Sequence, residues 1–272
     1  MTRPPIEFAR RDARQGIEWL KHAARMFKRN PLAWLLLLFT YYLLVGLAEL
    51  GPWARIGQFV APILKPVFAV GFLAAAWTQE RGGSPKFEHL FRGFRSNLYA
   101  LIPLGIVFLA GMTLAVLATV LVDGGKLIGL LSGAEKPTEE TMLGGQLQLA
   151  MLFGGVCALP TLFALWFAPA LVVFEDAGAA AALRTSFRAT IANWRAVATY
   201  GSLVFAFGGV LPGLVLSIGQ MLGDTVAGTL ALFVVLPYLF AFIATLHISD
   251  YVSYRDVFHP DEPVSTEPRL EK

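Results

Sequence analysis

The sequence predicts an all-α membrane protein: a bundle of six transmembrane helices with three amphipathic helices along one membrane face. Three observations carry this reading. Of the 272 residues, 56% are hydrophobic and 15% charged, and mean hydropathy is +0.61, whereas a soluble domain carries about a quarter charged residues. Six apolar stretches, at about 31–50, 60–79, 98–122, 147–174, 196–222 and 225–247, reach the roughly 20 residues that cross a bilayer core as helix. Lys and Arg are also segregated: eighteen fall in 1–30, 80–97, 175–195 and after 247, against three (Arg55, Lys126, Lys136) in the opposite links. That asymmetry predicts a bacterial inner-membrane protein with both termini cytoplasmic. No polar block is long enough for a soluble domain. Residues 1–258 therefore read as one membrane domain, followed by a polar, Pro-rich tail, 259–272, expected to be disordered.

The first element is an amphipathic helix at about 5–28. Ile6, Ala9, Ala13, Ile17, Leu20, Ala24 and Phe27 step by three or four and form an apolar stripe. Arg11, Arg14, Lys21, Arg25 and Lys28 fall beside it, a pairing suited to an anionic headgroup layer. The first span follows through "NPLA", residues 30–33. Gly46 and Ala48 near its end suit a signal-peptidase site, but the segment before it is too long for a signal n-region. The span is read as uncleaved.

The second span carries Lys65 between Pro62 and Pro66. A charge inside a span marks an ion or substrate path, or else snorkels to the surface. Snorkelling is favoured here, with the span beginning near Pro62. The second amphipathic segment, about 84–96, has Ser84 as N-cap, Pro85 at the first helical position and Phe87, Leu90, Phe91 and Phe94 on one face, with Arg92 and Arg95 nearby. It leads through "NLYA", 97–100, into the third span. The outer link 123–146, Gly-rich and acidic toward its end, reads as a short lid or loop.

After the fourth span, Asp176 is placed to cap an Ala-rich helix over about 176–194 that carries Arg184 and Arg188. "NWRA", 193–196, opens the fifth span. The three Asn-x-x-Ala frames, Asn30/Ala33, Asn97/Ala100 and Asn193/Ala196, read as one corner used three times, with the Asn side chain satisfying backbone groups. Pro66, Pro160 and Pro237 recur in the returning spans. Together these features predict a threefold internal repeat: amphipathic helix, span out, span back.

Signals for chemistry are sparse. Cys157 is alone and inside an apolar run, which excludes an intrachain disulfide and reads as a buried small hydrophobe. His22, His89, His247 and His259 are assigned to the cytoplasmic side and show no metal-ligand spacing. Glu175 and Asp176 read as a helix-start pair rather than an acid–base dyad. No buried Asp or Glu is foreseen in a span. "GVLPG", 209–213, offers a GxxxG frame for close helix packing, within the bundle by preference or else between protomers. No catalytic, phosphate-cradling or dinucleotide motif is present.

Pro169, Glu175, Gly178, Ala182, Leu183, Ser186, Asn193 and Trp194 form a pattern that resembles a broad family of six-helix bacterial membrane proteins without an assigned activity. "YVSYRDVF", 251–258, resembles a proteobacterial branch of uncharacterised inner-membrane proteins. The helical layout is similar to that of membrane domains fused to some glycerophosphodiester phosphodiesterases. Nothing resembles their soluble catalytic domain, so the resemblance implies location and fold alone. The functional expectation is a non-enzymatic inner-membrane protein that organises the bilayer or anchors partners, including a second copy or another membrane protein. Its candidate anionic-lipid contacts are Arg11, Arg14, Lys21, Arg25, Lys28, Arg92, Arg95, Arg184 and Arg188. No cofactor, metal or nucleic acid is expected. The alternative is a small transporter or channel that uses the bundle interior and Lys65.

Overall fold

The computed structural model describes residues 6–48, 50, 54–138 and 144–260. The expected disordered tail therefore lies, from 261 on, outside the described residues. Six helical stretches are long and apolar enough to cross a membrane: Pro31–Ala48, Ala54–Glu80, Leu98–Asp123, Gln146–Phe174, Trp194–Met221 and Asp224–Phe258. No strand occurs among the described residues. The all-α, six-span class read from composition is the one observed.

The elements fall into three hairpins, each preceded by a short helix at its basic end. The first comprises α1 (Ala13–Arg29), α2 (Pro31–Ala48) and α3 (Ala54–Glu80). The second comprises a 3₁₀ helix (Phe87–Arg95), α4 (Leu98–Ala118), α5 (Val120–Asp123), α6 (Lys126–Ser132), α7 (Gln146–Leu165) and α8 (Ala168–Phe174). The third comprises α9 (Ala179–Ala192), α10 (Trp194–Phe205), α11 (Leu211–Met221), α12 (Asp224–Leu230) and α13 (Leu236–Phe258).

The first short helix starts later than its sequence period suggests. Residues 6–12 run as an irregular arm, and Asp12 caps α1 by accepting from the Arg14 N–H at 3.0 Å. The arm is pinned elsewhere: Ala9 N–H donates to the Val257 carbonyl at 2.7 Å. The buried face is consequently Gly16, Trp19, Ala23 and Met26, not the stripe counted from Ile6. That count assumed helix through a segment that has none. At Gly16 an added Cβ would meet the backbone of Ala196 and Tyr200, so α1 lies directly against α10. α1 docks on protein along one side.

The second short helix is 3₁₀, over Phe87–Arg95, and Ser84 does not cap it. The Lys86 N–H instead donates to His89 Nδ1 at 2.8 Å. His89 Nε2 faces Thr78 Oγ1 at 3.2 Å, and that hydroxyl donates to the Ala74 carbonyl. The ring is thus an acceptor at Nδ1, a neutral tautomer, and burial accordingly lowers its pKa. Leu90 and Gly93 are buried while Phe87 and Phe94 are exposed. Gly93 meets the backbone of Val67, and Gly71 meets that of Leu90. Two glycines facing two backbones allow this approach; any Cβ would push the helices apart.

The fourth span is broken. Phe167 N–H, which would donate to the Phe163 carbonyl in a continuous helix, donates to Ser186 Oγ at 2.9 Å, and Ser186 Oγ donates to Phe163 O at 3.0 Å. A hydroxyl inserted into the ladder, ahead of Pro169, is a sufficient cause for the break between α7 and α8. Asp176 then adopts a left-handed φ of 51°, and Gly178, not Asp176, precedes α9.

The fifth and sixth spans each contain a π-helical turn, Ala206–Val210 and Ala231–Val235. Each lies just before a proline, Pro212 or Pro237. In the i→i−5 register Pro212 would have to donate to Phe207 O, which it cannot do. Tyr238 Oη donates to that carbonyl instead, at 2.8 Å. "GVLPG" therefore forms a local turn: Gly213 has no neighbour within 4 Å, and Gly209 meets only Phe205 of its own span. The expected GxxxG contact is absent there.

The core lies toward the basic end. Trp19, Trp34, Phe72, Leu90, Phe167 and Ile248 are all less than 3% exposed. α3 is the central span, with 56% of its most apolar window buried, against 6% in each of the last two spans. Close contacts between the third and fourth spans occur at Gly111, against Thr161, and at Gly154, against Thr119.

Candidate functional site

Two features stand out: a cross-braced basic end and a cavity inside the bundle. The basic end is organised by the last two turns of α13. This span continues to Phe258, eleven residues beyond the expected end at 247. Tyr251 Oη donates to Glu80 Oε2 at 2.6 Å, and Arg255 pairs with the other Glu80 oxygen. Tyr254 Oη donates to Glu175 Oε1 at 2.7 Å, and His259 Nε2 meets the same oxygen at 2.8 Å. Asp256 accepts from Trp19 Nε1 at 2.8 Å and pairs with Arg11 at 3.0 Å. The "YVSYRDVF" segment thus ties α13 to α3, to the turn after α8 and to the N-terminal arm. Glu175 is a brace rather than a helix cap.

A second buried relay joins α1, α2 and α3: Trp34 Nε1 donates to Gln79 Oε1 at 2.6 Å, and Gln79 Nε2 donates to the Met26 carbonyl at 2.7 Å. Each buried polar group is satisfied, which fixes the crossing of the three helices.

The candidate lipid contacts divide into two groups. Arg11 is drawn inward: its guanidinium binds the Asp256 side chain and carbonyl, and its N–H donates to Asn193 Oδ1. Arg92 is half-buried. Arg14, Lys21, Arg25, Lys28, Arg95, Arg184 and Arg188 are exposed. On α1 the four exposed cations lie outside the buried Trp19–Ala23–Met26 seam, with Lys21 in a solvent-facing pair with Glu18.

The three asparagine corners do three different things. Asn193 is fully buried; Nδ2 donates to the carbonyls of Ala9 and Ala189, while Oδ1 holds Arg11 N–H. Asn97 is exposed and caps α4 through Ala100 N–H at 3.2 Å. Asn30 turns the chain through its backbone, accepting from Trp34 N–H. Ala100 and Ala196 are buried, whereas Ala33 is half-buried. The prolines also diverge: Pro66 is buried inside α3, Pro160 is exposed in α7, and Pro237 follows a π-turn.

The interior cavity has a volume of about 350 Å³. Its wall draws on α2, α3, α4, α7, α8, α10 and α13, and it is lined mainly by apolar and aromatic side chains. Lys65, His247 and Asp250 also face it. Because α3 begins at Ala54 and not near Pro62, Lys65 lies eleven residues in, about 16 Å along the axis at 1.5 Å per residue. Its Nζ is 4.3 Å from the centroid of the Phe108 ring. His247 is stacked on Phe72 at 4.0 Å and 6°. Asp250 was missed because the sixth span was ended at the first polar residues. The helical recurrence of Ala244, Ile248, Tyr251 and Val252, all buried, was the signal that the helix continues.

A probable inner membrane protein of Burkholderia thailandensis is 33% identical over 261 residues, which cover 92% of this chain and 93% of the relative. The chain belongs to its family. No family model matches the chain, and no solved structure does. The six apolar spans of this chain fit a relative of that description. Among the described residues no group of His, Cys, Asp and Glu is arranged to hold a metal ion.

Proposed function

We infer that this is a non-enzymatic inner-membrane protein that holds anionic lipid against its basic end, with both termini in the cytoplasm. The observation that carries the reading is the outer face of α1. Arg14, Lys21, Arg25 and Lys28 remain exposed there while the opposite face is locked onto the bundle. Fixed cations at a membrane surface gain roughly 1 kcal/mol each from anionic headgroups. Arg95, Arg184 and Arg188 extend the exposed charge to the other short helices. Arg11 is excluded from this role because its charge is already spent on Asp256.

The test is thermal melting of the full-length protein in neutral detergent with added phosphatidylglycerol or phosphatidylcholine. A ligand that binds only the folded state raises the melting temperature. Phosphatidylglycerol is expected to raise it, less so at high salt because exposed charges are screened. Changing the four α1 cations to Gln should remove most of the shift. An equal response to both lipids, in both proteins, would defeat the reading.

A second reading, a small carrier that uses the bundle interior, is favoured by one observation: two charged side chains face the same internal cavity.

A further inference from the structure

Lys65 and Asp250 stand out from the other braced charges near α13. Arg255, Asp256 and His259 each meet an opposite charge on another part of the chain. Lys65 has no hydrogen bond or ion pair among the described residues; its ammonium rests over the Phe108 ring. The Asp250 carboxylate approaches His247 Nδ1 only to 3.8 Å, beyond hydrogen-bond length. His247 cannot easily turn to close that gap, since its ring is stacked on Phe72. The Asp250 side chain remains 47% accessible and lines the cavity.

Charged groups within spans are costly and persist where they serve a path or a ligand. The cavity's volume of about 350 Å³ falls within the range of about 300–1,000 Å³ typical of small-molecule sites. Its walls offer a receptive surface for an apolar or aromatic body: Trp166 and Tyr200 meet edge-on at 5.4 Å, and Tyr41 meets Phe72 at 5.6 Å. The Tyr200 hydroxyl is already engaged with Ser249 Oγ, and Lys65 and Asp250 are the oppositely charged groups of the wall.

We propose that the cavity binds a small amphoteric molecule with an apolar body, its anionic group on Lys65 and its cationic group on Asp250. A ligand with only one charge leaves the opposite wall group unmatched in a low-dielectric site. This inference rests on the bundle-interior reading for its location but does not require movement of the ligand across the membrane.

Three probes with one body and different charges test it: phenylalanine, phenylacetate and phenethylamine, added at millimolar concentration to the purified full-length protein. Affinity is read from the shift in melting temperature. Wild type is expected to favour phenylalanine. Lys65→Met should weaken phenylalanine about thirtyfold and leave phenethylamine the better ligand; Asp250→Asn should do the same in favour of phenylacetate. Lys65→Arg keeps the charge and should retain phenylalanine, which guards against a variant that merely misfolds. No shift with any probe, or three equal shifts unchanged by the substitutions, overturns the proposal and means that Lys65 and Asp250 compensate each other across the cavity. Phenylalanine flux into vesicles containing the protein separates the two readings. Charge-selective binding without flux sustains the site and removes the carrier. Flux unaffected by either substitution removes the site and leaves the carrier.

Discussion

Asn193, Asn97 and Asn30 share one sequence frame, and the residues around them decide what each side chain does. Asn193 makes three hydrogen bonds from a fully buried position, two of them to the N-terminal arm. Its replacement by Ala would leave the half-buried Arg11 N–H and Ala9 carbonyl without these partners. Such unmet groups cost about 1–3 kcal/mol. Asn97→Ala removes an exposed cap, at about 1 kcal/mol, and Asn30→Ala removes no side-chain hydrogen bond among the described residues, since Asn30 makes its contacts through the backbone. Melting of the three variants in one detergent should therefore rank Asn193→Ala lowest, Asn97→Ala next and Asn30→Ala nearest wild type. Equal losses would mean that the frame serves a single structural purpose after all. The frame was legible in the sequence, but the division of labour was not. It depends on residues 6–12 returning to α13, a contact between segments nearly the whole chain apart.

At the scale of elements, hydropathy located the spans well because a lipid-facing helix needs a long apolar run and little else. It failed where a helix is held by protein. α13 continues past its apolar part because Tyr251, Tyr254, Arg255 and Asp256 find partners on other elements. The fourth span breaks because Ser186, from a helix not yet in view along the chain, enters its ladder. α1 was legible as an amphipathic helix, but its inner face was not, because Gly16 counts for nothing in an apolar stripe and yet sits at the crossing with α10. Gly16→Ala places a methyl against the backbone of Ala196 and Tyr200, where no flexible side chain can give way. It is expected to loosen α1, exposing the 6–29 segment to limited proteolysis in detergent, while Gly213→Ala, facing open space, should leave the cleavage pattern unchanged. Protection of α1 in both variants would show that α1 is held mainly by the Asp256 contacts.

The whole molecule combines a braced, basic end with outer halves whose large apolar side chains remain exposed, among them Phe205, Leu214, Ile218 and Phe233. In a bilayer those side chains meet acyl chains, and the basic end meets headgroups. The proposed orientation, read from the charge count, puts that end in the cytoplasm. Reporter fusions at the N-terminus and after Phe258 should therefore both give cytoplasmic signals, and a periplasmic signal at either would break the six-span topology. The cavity is the part of the molecule that sequence reading could least supply. It is formed by side chains from all three hairpins, and one of its two charges, Asp250, looked like a residue of the tail. The most direct measurement of the central claim, that the exposed cations of the basic end retain anionic lipid, is native mass spectrometry of the gently extracted full-length protein. The expected result is co-purified phosphatidylglycerol or cardiolipin on wild type, largely lost when Arg14, Lys21, Arg25 and Lys28 are changed to Gln. Lipid retained equally by both proteins, or a retained population dominated by zwitterionic phosphatidylethanolamine, would contradict it.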